Sequence, residues 1–182
     1  MKYDICLIAE SMFWWFPVVL DLDTGKTYTL YNDLAAAEVK RLRAPRMIPH
    51  YSEASVYQKY LAIARDTGII DTGDLFERYP TFGLSPLPEP KPVGAHYCDS
   101  DEVEAFYKEA DILCSAIPAD SGLLALADFL EEYEIELAKE WCEQTGLEWY
   151  DKRPESSRHT LPEGTVHLYP AAVELGTGAL QQ

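Results

Sequence analysis

SGLLALADFLEEYEIELAKEWCEQTGLEWYD, residues 121–151, carries the strongest helical pattern in the chain and much of its surplus charge. Apolar side chains recur at Leu123, Leu126, Ala127, Leu130, Tyr133, Leu137, Ala138 and Trp141. That three-and-four spacing lines one side of an α-helix and turns it toward a core. The other positions hold Asp128, Glu131, Glu132, Glu134, Glu136, Glu140 and Glu143 against one base, Lys139. Like charges four apart repel at about 0.2–0.5 kcal/mol a pair, so a helix acidic at 128, 132, 136 and 140 tolerates self-repulsion. The pattern predicts a helix over 121–145, capped by Asp120 or Ser121. Gly146 just past its last turn supplies a residue that accepts positive φ, and Leu147 then packs back near Trp141 and Cys142.

The charge is unevenly spread along the 182 residues. Net charge is −16; residues 99–151 hold 16 acids and two bases, which is −14, whereas residues 1–98 hold 12 acids and ten bases. A near-neutral body therefore precedes a polyanionic helical part. Such a field repels nucleic acid and anionic membrane and speeds encounter with a cationic partner. Cys6, Cys98, Cys114 and Cys142 form no CxxC pair and are read as reduced core thiols in a cytoplasmic setting. Asp4 and Glu10 interrupt the first apolar run, so no secretory signal is expected. The apolar stretch 12–20 is too short to span a bilayer.

Outward toward the N-terminus, Tyr3 to Ala9 reads as a buried strand. It is followed by Phe13, Trp14, Trp15 and Phe16 side by side. On a strand that quartet points to both faces, where it is either covered by a helix or presented as an aromatic contact patch. Residues 17–31 alternate around Asp23-Thr24-Gly25-Lys26 and predict an antiparallel hairpin. Asn32 or Asp33 then caps a helix to about Leu42. Lys40, Arg41, Arg43 and Arg46 form a basic cluster, which docks on the acidic helix, stays a solvated patch, or serves a phosphate or nucleic acid, the first being the leading expectation. Residues 52–67 predict a helix stopped by Gly68, and residues 71–80 a helical turn. Residues 83–94 hold four prolines and read as an extended connection. Asp99 to Glu102 then opens a helix running to Ile117-Pro118. Residues 163–170 read as one edge strand and 176–182 as a frayed end.

Two short motifs invite chemistry. Val18 to Gly25 (VVLDLDTG) resembles the first motif of haloacid-dehalogenase-type phosphotransferases. That resemblance implies Asp21 as nucleophile, Asp23 beside it, and Mg²⁺ shielding the phosphoryl charge. The order departs from the family, with Thr24-Gly25 in place of Gly-Thr, and the strand turns back as a hairpin where that fold needs a helical crossover. Asp71-Thr72-Gly73 looks like the active-site triplet of retroviral-type aspartic proteases, but Asp74 replaces the small residue that follows there. His96 and Cys98, with Asp99 and Asp101, make half of a metal site whose second close pair is missing.

These observations define an α+β chain: a small antiparallel sheet, of the N-terminal strand plus the hairpin, packed with helices and followed by a C-terminal acidic αα-hairpin. A single domain is expected over 1–151, with a body at 1–82, a Pro-rich connection at 83–98 and the acidic helices at 99–151. Residues 152–182 are expected to be an extension, partly disordered. The function expected is non-enzymatic: occupation of a basic surface on a protein partner, as an inhibitor, immunity-type, anti-defence or nucleic-acid-mimic protein would do. Asp128, Glu131, Glu132, Glu136, Glu140 and Glu143 are the expected contact residues. No cofactor, no metal, no direct nucleic-acid binding and no membrane are expected. The alternative is Mg²⁺-dependent phosphoryl transfer or hydrolysis through Asp21 and Asp23.

Overall fold

The computed structural model describes residues 1–80, 100–162 and 165. The Pro-rich connection at 83–98, the half-site of His96, Cys98 and Asp99, and the strand and frayed end expected after 162 lie outside these residues, apart from Thr165.

The chain is α+β. A three-stranded antiparallel sheet, in the order β3-β2-β4, is built from β2 (Val18–Asp21), β3 (Thr27–Thr29) and β4 (Pro45–Met47). A separate parallel pair joins β1 (Lys2–Asp4) to β5 (Glu148–Tyr150). Six helices surround them: α1 (Ile5–Met12), α2 (Asp33–Val39), α3 (Glu53–Asp66), α4 (Leu75–Arg78), α5 (Asp101–Ser115) and α6 (Leu126–Thr145).

The N-terminal run corrects the expected strand. Pairing stops at Asp4, whose carboxylate accepts the Cys6 amide at 3.0 Å and caps α1. Ile5, Ile8, Ala9 and Met12 are buried, at the i, i+3, i+4, i+7 spacing of a helix face. A short apolar run rich in isoleucine suits a buried strand or a buried helix equally; here tertiary packing against α6 selects the helix. The strand that remains pairs with β5 rather than with the hairpin. Residues 13–16 are a turn and not a strand.

The hairpin is as expected, with β2 as the central strand. Val18 and Leu20 point into the main core, and Val19 points to the other face with Leu30 and Val39. Asn32 caps α2 by accepting the Ala35 amide at 2.9 Å. Ser100 caps α5, with Asp101, Glu102 and Glu104 in its first turn. The core lies between α1, β2, α3 and α6, where Phe129, Tyr133, Leu137 and Trp141 meet Ile5, Ile8, Met12 and Tyr60. A second cluster joins α3, α4 and α5 through Ala54, Leu61, Leu75 and Phe106. Both acidic helices thus lean on α3, α5 through one cluster and α6 through the other.

Helix α6 begins at Leu126, five residues later than the pattern predicts. Gly122 sits at φ +82, which breaks a right-handed helix. The Leu124 carbonyl meanwhile accepts the Tyr60 hydroxyl at 2.7 Å. At the other end Gly146 adopts φ +70, and the amides of Gly146 and Leu147 return to the carbonyls of Glu143 and Cys142. This left-handed position makes Gly146→Ala destabilising by about 1 kcal/mol. Urea denaturation should show a lower midpoint at unchanged slope, and an unchanged midpoint would contradict the assignment.

Candidate functional site

The six carboxylates expected on the outward side of α6 do not share one environment. Glu132 is 2% exposed and Glu131 is open to solvent, whereas Asp128, Glu136 and Glu140 are half-buried; Glu143 is exposed. Glu136 is paired with Lys139 one turn on. The helix is enclosed on more than one side: Phe129, Ile135 and Glu132 are buried besides the expected stripe.

The enclosing element is the segment after β5. Arg153, with its side chain 9% exposed, folds back onto α6. Its Nη1 donates to Glu132 Oε1 at 2.9 Å and to Glu131 Oε1 at 3.1 Å, and its Nη2 donates to Glu132 Oε2 at 3.2 Å. Nη2 also reaches Asp151 Oδ2 at 3.0 Å, and Nε reaches Oδ1 at 3.2 Å. A planar guanidinium suits such forked contacts. The His159 amide completes the shell of Glu132, donating to Oε1 at 2.7 Å. Burial would raise the Asp151 carboxyl, but hydrogen bonds from the Arg153 side chain and amide outweigh it and hold the group down at about 2. Lys152 closes the arrangement by pairing with Asp4 at 2.8 Å.

The internal counter-charge of α6 is therefore Arg153 and not the expected cluster. Among the described residues Lys40, Arg41, Arg43 and Arg46 make no ion pair, and Lys40, Arg41 and Arg43 are exposed. The reason is topological: β4 pairs with β2, and register places Pro45 opposite Asp21 at the turn end of the sheet. The arginines follow that strand instead of α6.

On its other flank α6 carries Glu134, a carboxyl with no ion pair among the described residues. Burial, then Glu53, Glu131 and Glu10, push the carboxyl of Glu134 up to about 8. Glu10 of α1 and Glu53 of α3 are thus within electrostatic reach of Glu134.

The residues of the two short motifs are engaged in turns. Asp21 is 3% exposed; its Oδ2 accepts the Thr24 hydroxyl at 2.6 Å and its Oδ1 accepts the Asp23 amide at 3.1 Å. Asp71 accepts the Gly73 amide at 2.9 Å. Both are Asx-type turn contacts, which occupy lone pairs that a metal or a nucleophilic attack would need. Burial raises the thiols of Cys6, Cys114 and Cys142, the last two to about 11 and about 12, so none is activated as a thiolate at neutral pH. Among the described residues no group of His, Cys, Asp and Glu is arranged to hold a metal, and no helix is long and apolar enough to cross a membrane.

Exposed acid is found on α5 instead. Asp101, Glu102, Glu104 and Asp111 face solvent and make no ion pair among the described residues, whereas Glu109 of the same helix is held by Arg78 of α4. Ile112 stands 71% exposed beside Asp111. The charge of α5 was visible in the sequence; its openness was not, because that depends on which helix the basic residues reach. Compared with known protein families, curated proteins and solved structures, the chain matches none.

Proposed function

We propose that this protein is an acidic binding protein that occupies a basic surface of a macromolecular partner, and that its leading contact face lies on α5 rather than α6. The observation that carries the reading is Asp101, Glu102, Glu104 and Asp111 exposed on α5 against one exposed base, Lys108, with Ile112 at 71% exposure beside Asp111. Asp101, Glu102 and Glu104 also suit a helix start, where acids favour the positive end of the dipole by about 0.3–1 kcal/mol. Asp111 has no such role, and neither does an isoleucine left in water. Charge around an apolar contact is the arrangement in which long-range attraction sets the on-rate and a desolvated centre sets the off-rate. Of the six acids on α6, Glu143 and Asp128 remain open to the same use, and Glu131 in part. Glu132 is a folding residue.

The test is charge reversal on α5. The pair Glu104→Lys and Asp111→Lys should weaken binding to poly-lysine about tenfold at low salt and flatten its salt dependence. Both side chains lie away from the two core clusters; Glu104 is in the first turn, so its reversal should cost up to about 1 kcal/mol of stability, while Asp111→Lys alone should leave thermal unfolding little changed. Affinity and salt slope equal to those of the unaltered chain would remove the proposal.

A further inference from the structure

The end of the three-stranded sheet opposite the hairpin turn is apolar and exposed. Trp14 is 44% and Trp15 68% exposed in the turn entering β2; Tyr31 is 57% and Leu34 82% exposed in the segment leaving β3. The Leu30 amide donates to the Pro17 carbonyl at 2.8 Å, which brings the two segments to the same edge. Four of the exposed large apolar residues of the described chain therefore lie in the two segments that this bond joins. Scattered exposed leucines need no explanation, whereas a contiguous aromatic patch on a folded chain marks an interaction surface. Trp and Tyr combine contact area with low conformational cost and dominate binding centres.

The rim of the patch is acidic. Glu10 lies one helical turn before Trp14, Asp33 adjoins Leu34, and Glu38 follows Leu34 by four residues on α2; all three are exposed. Glu10 is also within electrostatic reach of Glu134 and helps to raise it. Lys40 and Arg41 lie past the far end of α2, toward the other end of the sheet. The local charge is thus negative where the aromatics are.

We infer that the Trp14-Trp15-Tyr31-Leu34 patch is a docking surface for an arginine-bearing amphipathic segment of a protein partner. The reading rests on the proposal that the partner is basic, but it places an anchor at a surface distinct from α5. Guanidinium groups stack on indole faces and pair with carboxylates at the same time, and the apolar side of the segment covers Leu34. A nucleic acid would also stack on tryptophan, but its phosphates would meet Glu10, Asp33 and Glu38.

The probe is a synthetic peptide of alternating arginine and leucine, with a companion that carries glutamate for arginine. Titration is followed by calorimetry and by tryptophan fluorescence. Trp141 is 2% exposed and Trp149 half-buried, so caesium and iodide quenching report mainly on Trp14 and Trp15. With each quencher referred to its effect on a free indole, caesium should quench more strongly than iodide. The arginine peptide should bind and protect the indoles, and Trp14→Ala with Trp15→Ala should weaken it at least tenfold while the protein still unfolds cooperatively. Reversal at Glu104 and Asp111 should leave that affinity within about twofold, so failure here and failure of the α5 reading are separable. Equal binding of the glutamate peptide, no saturable binding of the arginine peptide, or stronger quenching by iodide overturns the inference. So does tighter binding of a single-stranded oligonucleotide, or a concentration-dependent dimer in sedimentation that the same tryptophan variants abolish.

Discussion

Replacing Arg153 with methionine should lower the free energy of unfolding by about 3–5 kcal/mol, the usual cost of leaving a buried charge without its partner. The side chain is 9% exposed and meets Glu132 and Asp151, at 2% and 6%, within one guanidinium fork. Methionine keeps much of the volume but none of the donors, so Glu132 would retain only the His159 amide. A chain of this size loses roughly 2–4 °C of melting temperature per kcal/mol, which puts the expected drop near 10 °C. Adding Glu132→Gln to that variant should recover part of the loss, because the neutral amide no longer demands a counter-charge. In denaturant unfolding, a loss below about 1 kcal/mol would mean that the pair is solvated and that residues 151–159 do not close on α6.

Stability should also fall as pH rises through neutrality, against the common trend. Glu134 has its folded carboxyl raised to about 8, first by burial and then by Glu53, Glu131 and Glu10. A raised acid contributes stability that is full below its unfolded value and is lost as pH climbs through the folded one. The loss between about pH 5 and pH 8.5 should be on the order of 2–4 kcal/mol, reduced from the full shift because the side chain keeps partial contact with solvent. Asp151 acts in the other direction. Its depressed carboxyl supports the fold above its ordinary range, and that support disappears as pH drops toward 2. The optimum is therefore expected on the mildly acidic side. Glu134→Gln should raise the melting temperature at pH 8.5 by about 5–10 °C and have little effect at pH 4.5. A variant that gains nothing at high pH would show that the carboxylates relax apart.

Much of the helical content was legible because caps and breakers are local. Asn32, Ser100, Gly68 and Gly146 each sit where the pattern ends a helix or begins one. The start of α6 lies later than the pattern predicts because Leu123 extends the apolar spacing back to Gly122, and only the left-handed φ of that glycine and the Tyr60 contact show where the chain turns. The N-terminal helix was hidden in plain view: positions 5, 8, 9 and 12 have helical spacing, but the run is too short for periodicity to outweigh its β-branched composition. The pairing of β1 with β5 joins residues nearly the whole chain apart, and no local signal encodes it. The same holds for Arg153. Three bases against three acids in the last 31 residues look neutral in composition, yet one arginine placed on α6 changes which acids stay open. Charge could be counted from the sequence, but its exposure depended on a long-range contact.

Recognition depends on where unneutralised negative potential remains. It can be read residue by residue from NMR relaxation enhancements induced by a cationic and an anionic nitroxide cosolute. The predicted result is a strongly negative near-surface potential at residues 104–112 and around Glu10, Trp15 and Asp33, with a weaker one at 131–132 beside Arg153. A most negative value at 131–132 beside Arg153, with α5 near neutral, would contradict it.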